Sequence, residues 1–282
     1  MTQLRIGLAQ VRQSADMADN GAAVLDAIEQ AARDNVQVLC FPETQTFGYR
    51  ADISPADAPV PVEALDELHA RVARRCGEIG MACVLGTELA AESGRPYNSA
   101  LVIDETGEIV GFHHKTKLTP LDAVAYEAGT ELQTYELCGV RTGVAICFEG
   151  FRFPEITREY VRQGAQLVLH PQNNTTRPND WKLPVHESMI VTRAAENTIW
   201  FASCNACLPP HQNCRSMVVA PDGRIHSQAE LRREQVLVAD LDLGLATRAM
   251  FLGDMTGLAK ALFADTVQPA EFAEAVGRTP AS

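Results

Sequence analysis

What this sequence lacks narrows it first. No run approaches the ~18 apolar residues that a membrane span needs, and no N-terminal segment joins a basic start to an apolar stretch. A soluble, cytoplasmic protein with no membrane partner is expected. Basic residues are in the minority, with 24 Lys and Arg against 36 Asp and Glu, a net charge of −12 and no basic stripe. That balance disfavours a phosphate backbone, so no nucleic-acid partner is expected. No linker rich in Gly, Ser and Pro divides the 282 residues, and no short-period repeat appears. With 46% hydrophobic residues the chain can bury a large core, and we expect one domain over 1–282 with an extension from about residue 244.

Cysteine is plentiful by comparison, at positions 40, 76, 83, 138, 147, 204, 207 and 214. Several lie inside apolar, strand-like runs and no export signal accompanies them, so reduced thiols are expected. Cys204, Cys207, His211 and Cys214 crowd four potential zinc ligands into a short segment. Their spacing matches no common zinc site, and Cys204 ends an apolar run where burial suffices to explain it. No metal is expected.

Apolar periodicity gives an alternation of strands and helices. LRIGLAQV (Leu4 to Val11) reads as a strand, and Val24, Leu25, Ile28, Ala31 and Ala32 recur at helical spacing before another strand from Val36. Leu65, Leu68, Val72 and Ile79 make a second helical stripe. Strands MACVLGTEL, SALVID and EIVGFH follow, the last two joined by a turn at Thr106-Gly107. Further on come a helix opened by Pro154, strand AQLVLHP, helix PVHESMIVTRAAEN, strand TIWFASCN and a hairpin turn at Asp222-Gly223. This order predicts an α/β fold. Met250, Phe251, Leu258, Leu262 and Phe263 make the C-terminal segment apolar, and AEFAEAV can add helix. It either packs on a partner subunit or covers its own.

Three strand ends carry chemistry. In GVAICFEGFRFPE an apolar run stops at Cys147, just before a helix start. A strand end holds a thiol rigidly, and nearby cations and backbone N–H groups there can activate it. Taken alone, a cysteine ending an apolar strand is more often core than catalyst. In VQVLCFPETQTFGY, Pro42 stops a strand directly before Glu43, and in EIVGFHHKTKLTP a strand leads to Lys115. Either charge alone would usually be solvated surface.

In this order the three motifs, FPE at Glu43, HHKTKL at Lys115 and ICFEGFRFPE at Cys147, resemble the nitrilase superfamily of carbon–nitrogen hydrolases, whose Glu, Lys and Cys occupy these contexts. RPYNSALVID, RAAENTIWFASCN and SMVVAPDGRI are similar to recurring family segments, so the resemblance runs from residue 4 to about 242. It implies a four-layer αββα sandwich, a catalytic Glu43, Lys115 and Cys147, and assembly into a homodimer or larger homo-oligomer. Many family members also place a second glutamate between the lysine and the cysteine. Here Asp122 is the best-placed counterpart and Glu127 competes with it. The sequence departs from the pattern at Lys117, where histidine is frequent, and in the Phe148-Glu149 pair, which leans towards the nitrilase branch while the rest of the motif is closer to amidases.

An amide or nitrile carbon demands a base to take the thiol proton and a positive site for the charge that develops on attack. Glu43 suits the first task, and Lys115 with the Phe148 N–H suits the second. That chemistry needs no cofactor. Substrate contacts are expected from Tyr49, Phe148, Glu149, Arg152, Asn173 and Asn174, with Trp181 a further candidate, while His170 is read as a structural imidazole. The function expected is hydrolysis of a small amide or N-carbamoyl compound through a thioester with release of ammonia. Nitrile hydrolysis is the alternative enzyme, and a catalytically silent binding module on the same fold is the alternative class.

Overall fold

The computed structural model describes residues 2–50, 53–175 and 182–254, without the side chain of Leu183. Trp181 and the residues from 255 on, including Leu258, Leu262, Phe263 and AEFAEAV, lie outside the described residues. The first sheet holds β1 (Gln3–Gln10), β2 (Val38–Cys40), β3 (Ala82–Leu89), β4 (Tyr97–Ile103), β5 (Ile109–His114) and β12 (Gln235–Asp242), in the order β12-β1-β2-β3-β4-β5. The second holds β6 (Thr134–Leu137), β7 (Val140–Val144), β8 (Leu167–Gln172), β9 (Trp200–Asn205), β10 (Met217–Val219) and β11 (Ile225–Gln228), in the order β11-β10-β9-β8-β7-β6. Each sheet is parallel at its centre, β1-β2-β3 in one and β7-β8-β9 in the other, with antiparallel strands outside.

Both faces of the central strands are buried, which is why they read as continuous apolar runs. Leu4, Ile6, Leu8, Val38 and Val84 point between the sheets and meet Val144, Ile146, Leu167, Leu169 and Trp200. Their alternates Leu39, Cys83 and Leu85 point outward beneath α1 (Met17–Arg33) and α2 (Val62–Ile79). The second sheet's outer face carries Val168 and Phe201 beneath α5 (Pro154–Arg162) and α6 (Lys182–Ala195). The result is the four-layer αββα sandwich. Among the described residues no helix is long and apolar enough to cross a membrane.

Two local features differ from the sequence expectation. TYELCGVRTGV forms the β6-β7 hairpin around Cys138-Gly139, with Cys138 itself at φ 50°, a turn conformation unusual outside glycine. A short helix, α4 (Phe148–Arg152), also intervenes between Cys147 and the helix at Pro154. Beyond β12 the chain adds a 3-10 turn and α6 is followed later by the one-turn helix α7 (Ala249–Leu252), whose Phe251 packs on the outer core of the second sheet.

Candidate active site

The carboxyl ends of the parallel strands converge where the two sheets face each other, the position at which open α/β sheets present ligand sites. Glu43 sits three residues beyond β2. Its turn lies across β3 because Gly86 has no side chain; a Cβ there would stand 1.9 Å from the Pro42 carbonyl oxygen. Lys115 follows β5, held by its N–H to the Asn98 carbonyl (2.8 Å) and by its own carbonyl to Gly129 (2.9 Å). Asp122 opens the single-turn helix α3 (Asp122–Ala125), where the Thr119 hydroxyl accepts from its backbone N–H at 3.0 Å.

These three form one buried ionic cluster. The Lys115 ammonium lies 2.6 Å from Glu43 Oε1 and 2.9 Å from Asp122 Oδ2. Glu43 accepts further hydrogen bonds from Asn98 Nδ2 at Oε1 (2.7 Å) and from the Asn173 backbone N–H at Oε2 (2.9 Å). Asp122 accepts from the Tyr49 hydroxyl (2.6 Å) and the Thr119 N–H (2.8 Å). Burial alone would lower the lysine's pKa, but the carboxylates of Glu43 and Asp122 outweigh it and hold the ammonium well above its ordinary range. Burial would likewise raise Asp122, and Lys115 with Tyr49 brings it below the usual carboxylate value instead.

Cys147 joins this cluster from the second sheet, its thiol within the fields of Glu43 and Lys115. Burial and then the Glu43 charge push its thiol well above the ordinary cysteine value, so the resting sulfur is protonated beside a carboxylate able to take that proton. Its backbone is strained: φ 49° and ψ −105° lie outside the regions most residues occupy. Three bonds hold that conformation. The Cys147 N–H donates to the Pro171 carbonyl (2.8 Å), and its own carbonyl accepts from Phe151 N–H (3.2 Å) and His170 Nε2 (2.9 Å). The turn aims Sγ out of the strand and makes Phe148 the first residue of α4, where its N–H is one of the helix's orphan donors.

The other sequence candidates divide. Asn174 reaches the sulfur, Nδ2 to Sγ 3.6 Å. Asn173 touches Glu43 through its backbone, while its side chain donates to Gln13. Tyr49 is brought in to hold Asp122, its hydroxyl already donated. Phe148 is half-buried and packs edge-on against Phe153, ring centres 5.3 Å apart, and Arg152 is exposed at the end of α4. Glu127 does not share the lysine; it pairs with Arg95 at 3.3 Å. Glu149 is the main correction. Its carboxylate folds back under the strand end, with Oε1 accepting from Thr116 N–H and Oγ1 (2.6 Å each) and Oε2 from Ile146 N–H (2.7 Å) and His113 Nε2 (2.8 Å). It is fully buried and spends its acceptors on the protein, tying the Lys115 segment to the Cys147 segment.

Asn98, Gln13, His113, Thr116, Gln172 and Ser203 were not singled out from the sequence. The available signal was polar residues inside otherwise apolar buried strands, such as His170 and Gln172 on β8. Cys204 and Cys214 point to separate carbonyls, those of Cys40 and Arg215.

The chain belongs to the carbon–nitrogen hydrolase family, whose profile matches residues 5–250. It lies in the nitrilase superfamily. An omega-amidase, NIT2-B of Xenopus laevis, is 27% identical over 259 residues, covering 86% of this chain and 90% of its own. An (R)-stereoselective amidase of a Pseudomonas species is 31% identical over 247 residues, covering 85% of each. Among solved structures, an amidase from Nesterenkonia sp. AN1 superposes with a TM-score of 0.77 at 26% identity, covering 89% of this chain and 93% of that one; it carries the acetamide moiety of fluoroacetamide on its active-site cysteine.

Proposed function

We propose that this protein is an amidase that releases ammonia from small amides through a thioester on Cys147. The observation that carries the reading is one carboxylate, Glu43, paired with a buried ammonium that a second carboxylate, Asp122, also holds, with the Cys147 thiol in the field of that cluster. Glu43 takes the thiol proton as sulfur attacks the amide carbon. The carbonyl π electrons move to oxygen, and the oxyanion is met by the Lys115 ammonium and the Phe148 N–H. The proton on Glu43 then passes to the amide nitrogen, the C–N bond breaks and ammonia leaves. Water replaces it, gives a proton to Glu43 and attacks the thioester, and collapse of that intermediate returns the proton to sulfur with release of the acid. Asp122 keeps Lys115 charged and aimed while Glu43 cycles.

The names of the amidase relatives support this chemistry, and the acetamide moiety carried by the Nesterenkonia cysteine, an alkyl rather than an acyl group, supports a nucleophilic sulfur. N-carbamoyl compounds present the same –CO–NH2 group and belong to the proposed substrate class. The Phe148-Glu149 pair gives nitriles no special support, because Glu149 is engaged behind the nucleophile. All eight cysteines are free, which suits a reducing compartment such as the cytoplasm. Homodimerisation or larger assembly follows the family habit and is measurable by sedimentation.

The test is ammonia release from a panel of aliphatic amides, N-carbamoyl compounds and nitriles, by wild type and Cys147→Ala. Turnover of amides that disappears with the sulfur, together with an acyl adduct at Cys147 by mass spectrometry, is the expected result. A wild type inert to the whole panel, or a Cys147→Ala protein that still releases ammonia, would overturn it.

A further inference from the structure

Beneath the sulfur, five residues close a ring of hydrogen bonds that begins and ends on Cys147. One atom fixes the polarity of the entire ring, because the Cys147 carbonyl can only accept. His170 Nε2, 2.9 Å away, must therefore donate to it. The neutral imidazole then offers Nδ1 as an acceptor, which obliges the Ser203 hydroxyl to donate across 2.8 Å. Ser203 Oγ, its proton committed, accepts from Gln172 Nε2 at 2.6 Å. That turns Gln172 Oε1 towards Asn174, whose Nδ2 donates to it at 2.8 Å. The second proton on the same Nδ2 is left pointing at Cys147 Sγ, 3.6 Å away.

The surroundings let the ring hold only this arrangement. His170, Gln172 and Ser203 are fully buried, and Asn174 is 8% exposed. Burial drives the His170 pKa down to about 4, which keeps its ring neutral and Nδ1 an acceptor at ordinary pH. Gly150 makes room for the imidazole, since a Cβ there would lie 2.6 Å from His170 Nε2, and Phe151 closes on the ring edge-on at 4.7 Å. Strand pairing sets His170 opposite Ser203 and Gln172 opposite Asn205. Asn205 Oδ1 in turn accepts from the Asn174 N–H at 2.8 Å. The Asn174 amide thus has neither a free rotation nor a free orientation of its oxygen and nitrogen.

We infer that Asn174 is a catalytic residue for the reaction at Cys147: a pre-aimed donor that stabilises the sulfur's negative charge when its proton leaves, on the side of the sulfur served by the second sheet. This rests on the reading of Cys147 as nucleophile. Among the described residues, the hydrogen bond that reaches Sγ on that side is the one from Asn174, and a donor fixed before reaction needs no reorganisation as the charge develops. A donor that served only to orient substrate would act on binding, whereas a donor to sulfur acts on the thiolate even without substrate.

The experiment compares wild type with Asn174→Leu, of similar size and without a donor, and with Asn174→Asp, which keeps the shape and places a carboxylate by the sulfur. The readouts are the rate of Cys147 alkylation by iodoacetamide and the kcat and KM for an amide, with folding checked by circular dichroism. We expect Asn174→Leu to slow alkylation and kcat each by about tenfold, with KM within roughly twofold of wild type, the effect of one hydrogen bond to a charged acceptor. Asn174→Asp should slow alkylation further. Wild-type alkylation in a folded Asn174→Leu protein overturns the inference, and if that variant does not fold, wild-type alkylation in Asn174→Asp does so equally. Ammonia release by Cys147→Ala marks a failure of the nucleophile reading itself, whereas unaltered Asn174 variants beside a dead Cys147→Ala defeat this inference alone.

Discussion

The two sheets contribute unlike halves to one site. The first supplies a cluster of full charges, Glu43, Lys115 and Asp122, in which an ammonium held between two carboxylates offsets the cost of burying all three. The second supplies a protonated sulfur set in a ring of neutral groups, His170, Ser203, Gln172 and Asn174. Chemistry needs the halves in register, and bonds cross the gap on both sides: the Glu43 N–H donates to the Gln172 carbonyl at 3.4 Å and the Asn173 N–H to Glu43 Oε2 at 2.9 Å, while Glu149 on the second sheet's side accepts from His113 and Thr116 on the first's. The lesson is that charge is stored ready-made in one sheet and, on the proposed mechanism, created in the other only during turnover. A damaged charged half therefore costs folding as well as rate, while a damaged neutral half costs rate first.

The hardest blow to the comparison is Lys115→Met. It leaves two carboxylates buried face to face with no cation between them, and removing one member of a buried pair destabilises by about 3–5 kcal/mol. On the proposed mechanism it also removes an oxyanion donor, typically worth about a hundredfold to a thousandfold in kcat. Urea unfolding and steady-state kinetics on one preparation check both effects. A variant that is inactive but of wild-type stability would break the claim that the charged half is also structural.

Glu149→Gln should come next, and it probes the clasp between the halves. One carboxylate accepts four protein donors, so an amide in its place turns an NH2 towards N–H groups and costs roughly 2–3 kcal/mol. The pH dependence has a definite sign. Burial would raise the Glu149 pKa, but His113 and Thr116 hold it below its ordinary 4.5, so its stabilisation is complete above that value and is lost as pH falls through the lower, folded-state value. The stability gap between wild type and Glu149→Gln should therefore be widest near neutrality and shrink below about pH 4.5. A gap independent of pH would mean that Glu149 is not held as a carboxylate.

The three reactive groups, two in the charged half and the sulfur in the neutral one, were the legible part of the sequence. Glu43, Lys115 and Cys147 announce themselves because each is a reactive group placed where an apolar strand stops. Spacing could not decide between Asp122 and Glu127, because both lie in one loop, and the choice rests on α3 beginning at residue 122 with Thr119 as its cap. Glu149 misled because a residue two places beyond the nucleophile looks poised for substrate, whereas the positive φ at Cys147 folds that side chain back onto the Ile146 N–H. The neutral ring behind the sulfur was nearly invisible. Its bonds join β7, β8 and β9, and only the strand register brings residues 170 and 203 together. The α/β alternation was readable from apolar periodicity alone, while the β6-β7 hairpin escaped because its turn places a cysteine where glycine or asparagine usually signals one.

Tyr49→Phe is the gentlest test and the one that sharpens the comparison most. The ring should stay in place, stacked on Tyr126 with centres 6.3 Å apart and packed with Ala125, Ile53 and Leu118, so only the hydroxyl bond to Asp122 is lost. Asp122 keeps Lys115 at 2.9 Å and the Thr119 N–H at 2.8 Å, and the ammonium keeps Glu43, so charges remain to hold the geometry. We expect a stability loss of about 1 kcal/mol and a fall in kcat of roughly fivefold at most. On the neutral side the Asn174 amide is held by neutral partners, so Asn174→Leu, which removes the donor to Sγ and also strands the buried Gln172 Oε1, should depress kcat more than Tyr49→Phe. If Tyr49→Phe proves the slower enzyme, the charged half is the less forgiving of the two in rate as well as in stability, and the division of labour between the sheets fails.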